Sequence, residues 1–88
     1  MYYVYLLEHS KNKKWYTGAT SDLRKRLVEH NRKFQKRGYC YKLIYYEACL
    51  QKEDAWSREK YLKSGMGKRY LKNRLKRFLS LTGCILNA

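Results

Sequence analysis

No proline occurs in this chain of 88 residues, and only five are glycine. Without proline there are no stiff X-Pro joints and no proline-rich linker. No low-complexity stretch, internal repeat or break in composition divides the chain either, so residues 1–88 are expected to form one domain. Cysteine is scarce as well: Cys40, Cys49 and Cys84 are odd in number and too scattered for a CxxC pair or a zinc site. They are expected to be reduced, buried or semi-buried thiols in a cytoplasmic protein. The apolar start, Met1 to Leu7, has no basic segment before it and is far too short to cross a bilayer, so neither export nor membrane anchoring is expected. Acidic residues are the last shortage, with seven Asp plus Glu against 21 Lys plus Arg, a net charge of +14.

That charge is dense for a domain of this size and asks for a polyanion. Nucleic acid is the expected partner, because lysines and arginines bound to phosphates release condensed counterions and drive association without base contacts. An anionic membrane surface is the competitor. The length lies near the lower limit for a core without disulfides or a metal. Ten tyrosines and two tryptophans must therefore supply much of the burial, and they can also stack on bases.

Tyr2 to Glu8 is rich in β-formers and reads as a strand, Ser10 to Lys14 as a polar turn, and Trp15 to Ala19 as the returning strand of a hairpin. Tyr5 and Tyr16 share a face of that hairpin if facing positions sum to an odd number; a register shifted by one would separate them. Ser21 or Asp22 can cap the next helix, where Leu23, Leu27, His30 and Phe34 fall on one arc with Arg26 at its edge. Arg32 to Gly38 is a basic connection, and Tyr41 to Cys49 a third strand. A second helix spans about Lys52 to Ser64, stopped by Gly65 and Gly67. A third runs from about Lys68 to Leu79, with Leu71, Leu75, Phe78 and Leu79 on its apolar side. The order gives an α+β class with a small, mostly antiparallel sheet and three helices.

On the second helix Leu62, Ala55 and Glu59 fall at about −20°, 0° and 40°, which sets a carboxylate inside the apolar arc. A carboxylate there needs either a metal or a cationic partner, and Lys63, one turn on, is the structural alternative. Arg26 and His30 also have bland readings, as a solvated charge and a packing histidine. Tyr5 and Tyr16 can be ordinary strand residues. Together these residues supply what phosphodiester hydrolysis needs: a phenol near the attacking water, a cation for the phosphate and a carboxylate for a divalent metal.

Tyr3-Val4-Tyr5, Tyr16-Thr17-Gly18, the segment Thr20 to Asn31 with Arg26 and His30, and Arg58-Glu59-Lys60 resemble the motifs of the GIY-YIG endonuclease domain in its short single-domain form. The spacing agrees as well as the residue types. The resemblance implies a three-stranded antiparallel sheet flanked by helices and divalent-metal-dependent cleavage of DNA. It also implies that Tyr5 and Tyr16 lie beside the attacking water, Arg26 contacts the phosphate, His30 assists and Glu59 holds Mg²⁺ or Mn²⁺. Tyr3 stands where the first motif has glycine and Thr17 replaces isoleucine, both at backbone or packing positions. The family's polar residue in the last helix matches Asn73 or Lys72 only loosely.

As general base a tyrosine, with an unperturbed pKa of about 10, needs a cationic neighbourhood to favour phenolate, and Arg26, the metal and the net charge are expected to provide it. Either tyrosine fits; Tyr5 is preferred because the family's first motif is usually given that role. The expected enzyme is a DNA endonuclease with weak sequence specificity, acting on branched or damaged DNA as in DNA repair. Arg26, Lys68, Arg69, Lys72, Asn73 and Lys76 are the candidate nucleic-acid contacts. The alternative is a non-catalytic nucleic-acid-binding module whose basic third helix tracks a phosphate backbone. RNA is a weaker candidate partner.

Overall fold

The computed structural model describes residues 1–34 and 37–82, with the side chains of residues 33, 34 and 82 excepted. Three strands, β1 (Tyr2–His9), β2 (Trp15–Thr20) and β3 (Tyr41–Cys49), form an antiparallel sheet in the order β2-β1-β3. Four helices accompany it: α1 (Leu23–Phe34), α2 (Lys52–Leu62), α3 (Gly65–Arg74) and α4 (Lys76–Thr82). The central strand β1 carries the unbroken buried run Val4 to Glu8, as a strand covered on both faces requires.

In the β1–β2 hairpin Tyr5 faces Gly18 and Leu7 faces Tyr16, so paired positions sum to an odd number. Tyr5 and Tyr16 therefore share a face. The other face presents Val4 and Leu6, which close a core with Ala55 and Leu62 of α2 and Leu71 of α3. Burying each of these leucines contributes about 1.5–3 kcal/mol. On the β3 side the pairing slips between Leu6 and Leu7, where Ile44 is the extra residue of a bulge in β3.

Asp22 is the residue that caps α1, its Oδ1 accepting from the Lys25 amide at 3.0 Å. The helix continues through Arg32 to Phe34, so the basic connection is shorter than the sequence suggests; its residues 35–36 and the Phe34 side chain lie outside the described residues, as does Cys84. Cys49 is half-buried as expected, whereas Cys40, at the entry to β3, is exposed. Asn31 then ties α1 to β3 by accepting from the Tyr41 amide at 2.7 Å and donating to its carbonyl at 3.0 Å.

The last helical stretch differs most from expectation. Gly65 and Gly67 do not merely stop α2; they open α3, whose N-terminus is capped by Ser64 Oγ accepting from the Gly67 amide at 3.2 Å. Gly67 is buried because a Cβ there would collide with the Tyr61 carbonyl and the Leu62 Cα, so its lack of a side chain lets α3 cross closely over the end of α2. The expected third helix is then broken at Leu75 (φ −106°, ψ 22°), giving α3 and α4.

A second anchor fixes α2 to the sheet. Arg58 makes a two-pronged contact with Glu47 of β3 at 2.9 and 3.1 Å, and Glu47 also accepts from the Tyr45 hydroxyl at 2.9 Å. The guanidinium lies 4.8 Å from the Tyr70 ring and 5.2 Å from that of Tyr61. Glu59 follows Arg58 in the chain, so this clamp also sets where the Glu59 carboxylate can reach.

Candidate active site

Tyr5 is 2% exposed, and its ring lies across β2 at the one position without a side chain: a Cβ on Gly18 would collide with the Tyr5 Oη and Cζ. The glycine of Tyr16-Thr17-Gly18 is therefore a steric requirement of the first motif's tyrosine. Arg26, the fourth residue of α1, reaches back over the sheet, and its Nε donates to the Tyr5 hydroxyl at 3.4 Å. This is a long hydrogen bond, but it joins two motifs 21 residues apart.

Tyr16 sits beside them with its ring centroid 6.5 Å from that of Tyr5. It is 38% exposed, which opens the cluster to solvent. The His30 ring, one turn after Arg26 on α1, lies 5.1 Å from Tyr16 and 4.6 Å from Tyr41. Tyr41 is the residue whose backbone Asn31 grips, so the histidine's ring is backed by a strand held in place by its neighbour in sequence.

Glu59 arrives from α2. Its Oε2 is 2.8 Å from Lys63 Nζ, and the carboxyl side chain keeps 21% exposure. The carboxylate is thus paired with Lys63, the structural alternative, and its charge also acts on Tyr5. Lys63 is the participant that the motifs do not reveal: its pKa is raised, first by the bond to Glu59, with smaller contributions from Tyr16 and Tyr5. An i,i+4 pair on one helix looks structural in sequence, and only the packing of α2 against the sheet brings it near two phenols.

The electrostatics of Tyr5 run against expectation. Burial raises its pKa above the ordinary tyrosine value, and the Arg26 hydrogen bond opposes that only in part; Tyr16 and Glu59 add to the rise. In the metal-free protein Tyr5 is a neutral phenol whose oxygen accepts from Arg26, leaving its O–H to donate. Arg26, correspondingly, has its pKa raised by the Tyr5 hydroxyl and remains a full cation.

No group of three or more His, Cys, Asp or Glu side chains arranged to hold a metal occurs among the described residues. The donor set nonetheless fits a hard divalent cation of the Mg²⁺ type, which is commonly bound through one or two carboxylates with water and substrate phosphate completing the shell. Glu59 is the carboxylate that reaches the cluster, partly exposed and held by one exposed lysine. The remaining candidate contacts lie elsewhere: Lys68 and Lys72 border a cavity against the other face of the hairpin, Asn73 and Lys76 border the α3–α4 junction, and Arg69 is exposed on α3.

The family model described as the GIY-YIG catalytic domain matches residues 1–76, which takes in all five clustered residues. The chain belongs to the GIY-YIG family. A UPF0213 protein of Clostridium perfringens (strain 13 / Type A) is 40% identical over 67 residues, covering 72% of this chain and 71% of that protein. No solved structure matches. The GIY-YIG family is one of nucleases, so nucleic acid is the substrate class that membership implies. Among the described residues no helix is long and apolar enough to cross a membrane.

Proposed function

We propose that this GIY-YIG protein is a divalent-metal-dependent DNA endonuclease that hydrolyses phosphodiester bonds, directed by DNA structure or only weakly by sequence. The observation that carries the reading is the Arg26–Tyr5 contact inside a cluster that also holds Tyr16 and His30, with the Glu59 charge acting on Tyr5. Glu59 would hold Mg²⁺ or Mn²⁺, and the bound ion would stabilise charge on the phosphate and the leaving oxygen.

The chain's own groups divide the remaining work. Arg26, exposed and cationic, binds a non-bridging phosphate oxygen and at the same time orients the Tyr5 hydroxyl. Tyr5, kept neutral by burial, positions the attacking water by hydrogen bonding. That leaves Tyr16, the more open phenol, to take the water's proton as its own hydroxyl proton passes to His30, whose ring lies against it. Lys63 holds Glu59 in place until the metal and substrate arrive. Binding would rest on backbone contacts from Arg69, Asn73 and Lys76, which would give weak sequence preference, whereas Lys68 and Lys72 lie against the opposite face of the hairpin.

Nicking of supercoiled plasmid with Mg²⁺ or Mn²⁺, against a chelator control, tests the reading. Metal-dependent nicking that Glu59→Gln abolishes while DNA binding persists is expected. A Glu59→Gln protein that nicks as fast as wild type would refute the role of Glu59. The 2.8 Å Glu59–Lys63 ion pair favours one second reading, a non-catalytic nucleic-acid-binding module in which the pair is purely structural. Salt-sensitive binding without nicking under any metal would decide for it.

A further inference from the structure

Against the face of the hairpin opposite Tyr5 and Tyr16 lies a cavity of about 700 Å³. Its apolar lining is the indole of Trp15 with Leu79 and the nearly buried edges of Leu6, Leu62 and Leu71. Lys13, Lys14, Lys68 and Lys72 line it as well, two from the hairpin turn and two from α3. One more side chain contributes to it and fits neither group. Glu8 is 4% exposed, and its Oε2 accepts from the Trp15 indole N–H at 3.2 Å. Among the described residues no lysine forms an ion pair with it.

A carboxylate has about four acceptor positions, and one indole N–H leaves most of them unused. A buried acid in an apolar wall is costly unless donors meet it. The cavity therefore has three requirements: an anion to answer four lysines, a flat apolar body to lie against the indole, and a hydrogen-bond donor edge to meet Glu8. A fatty acid supplies the first two but buries its tail against the carboxylate. A nucleotide supplies all three.

The choice of base follows from donor patterns. Guanine presents two adjacent donors, N1–H and the N2 amino group, on its Watson–Crick edge, a match for the two oxygens of one carboxylate. Adenine and cytosine each set one amino group beside an acceptor nitrogen, and uracil or thymine sets one N–H between two carbonyls. We propose that this cavity is a guanine-nucleotide site, in which Glu8 reads the base edge and the lysines hold the phosphate. It lies across the sheet from the proposed cleavage site and does not depend on cleavage.

Titration of metal-free protein with guanosine monophosphate, followed by the indole N–H signals of Trp15 and Trp56, tests it directly. The Trp15 signal, which reports the bond to Glu8, is expected to shift while that of Trp56 stays. Adenosine and uridine monophosphates should bind at least about tenfold more weakly. Glu8→Gln, which still accepts from Trp15 but offers an amide N–H to the base, should weaken guanosine monophosphate about tenfold or more and leave adenosine monophosphate unchanged. Lys68→Ala with Lys72→Ala should weaken both nucleotides and leave unphosphorylated guanosine unchanged, and Glu59→Gln should alter none of these. Equal binding of all three nucleotides, indifference to Glu8→Gln, or an alkyl phosphate binding as tightly as guanosine monophosphate would overturn the proposal.

Discussion

The two faces of the β1–β2 hairpin are made of the same two strands and do opposite things. One face carries Val4 and Leu6 into a closed apolar core with Ala55, Leu62 and Leu71. The other carries Tyr5, Gly18 and Tyr16 toward Arg26 and His30 on α1, and ends at an exposed phenol. Period-two alternation lets adjacent residues face separate surroundings: Leu6 packs in the core with residues of α2 and α3, while Tyr5, beside it, faces Arg26. The helix α2 works in the same divided way, burying Ala55 and Leu62 while Glu59 keeps part of its surface for the tyrosine cluster. On the proposed function, folding and reactivity fall to different side chains of shared elements.

The sharpest break in that division is Leu71→Ala. Removing a 1%-exposed leucine from the packed face should cost about 2–5 kcal/mol in denaturant unfolding, while the nicking rate per folded molecule stays close to wild type. Glu59→Gln is the mirror image, with a loss on the order of 10²–10³-fold in nicking and little change in melting temperature. Gly18→Ala sits between the two: its Cβ must push the Tyr5 ring aside, costing about 1–3 kcal/mol and lowering nicking about tenfold or more.

Much of this division is legible in the residues themselves. Alternation within Tyr2 to Glu8 and the spacing of the two motifs are enough to set Tyr5 and Tyr16 near each other, and only the hairpin register remains open between two parities. Helical periodicity likewise places Glu59 inside the apolar arc of α2, where the structure leaves its side chain 21% exposed, and Arg26 one turn before His30. The misses have identifiable causes. Gly65 and Gly67 look like a stop signal because glycine is a poor helix former, whereas the structure uses Gly67 for close helix crossing and Ser64 as the cap. Leucines at 71, 75 and 79 keep a four-residue spacing across the break at Leu75, so nothing in the pattern marks it. Sequence also gives the sign of Arg26's effect on Tyr5 without the larger opposing effect of burial.

The smallest predicted effect uses that burial. Tyr5 and Tyr45 both have raised pKa values, chiefly through burial, so each remains protonated in the fold at a pH where the unfolded chain has begun to ionise. Above pH about 10 the unfolded state binds fewer protons and stability falls as pH rises; below it these two groups contribute no slope. Tyr45→Phe and Tyr5→Phe should each flatten the alkaline limb of a stability-against-pH curve measured by chemical denaturation. An unchanged limb would show that neither phenol is held neutral by its surroundings.

The central claim is that the Glu59 carboxylate serves the tyrosine cluster as a cation site in addition to bonding Lys63. Paramagnetic line broadening by substoichiometric Mn²⁺ tests it most directly, with amide signals compared between wild type and Glu59→Gln. Signals of Gly18, Glu59 and Lys63 should broaden first in wild type and persist in the variant. Equal broadening in both proteins, or broadening centred on the exposed pair Glu53 and Asp54, would contradict it.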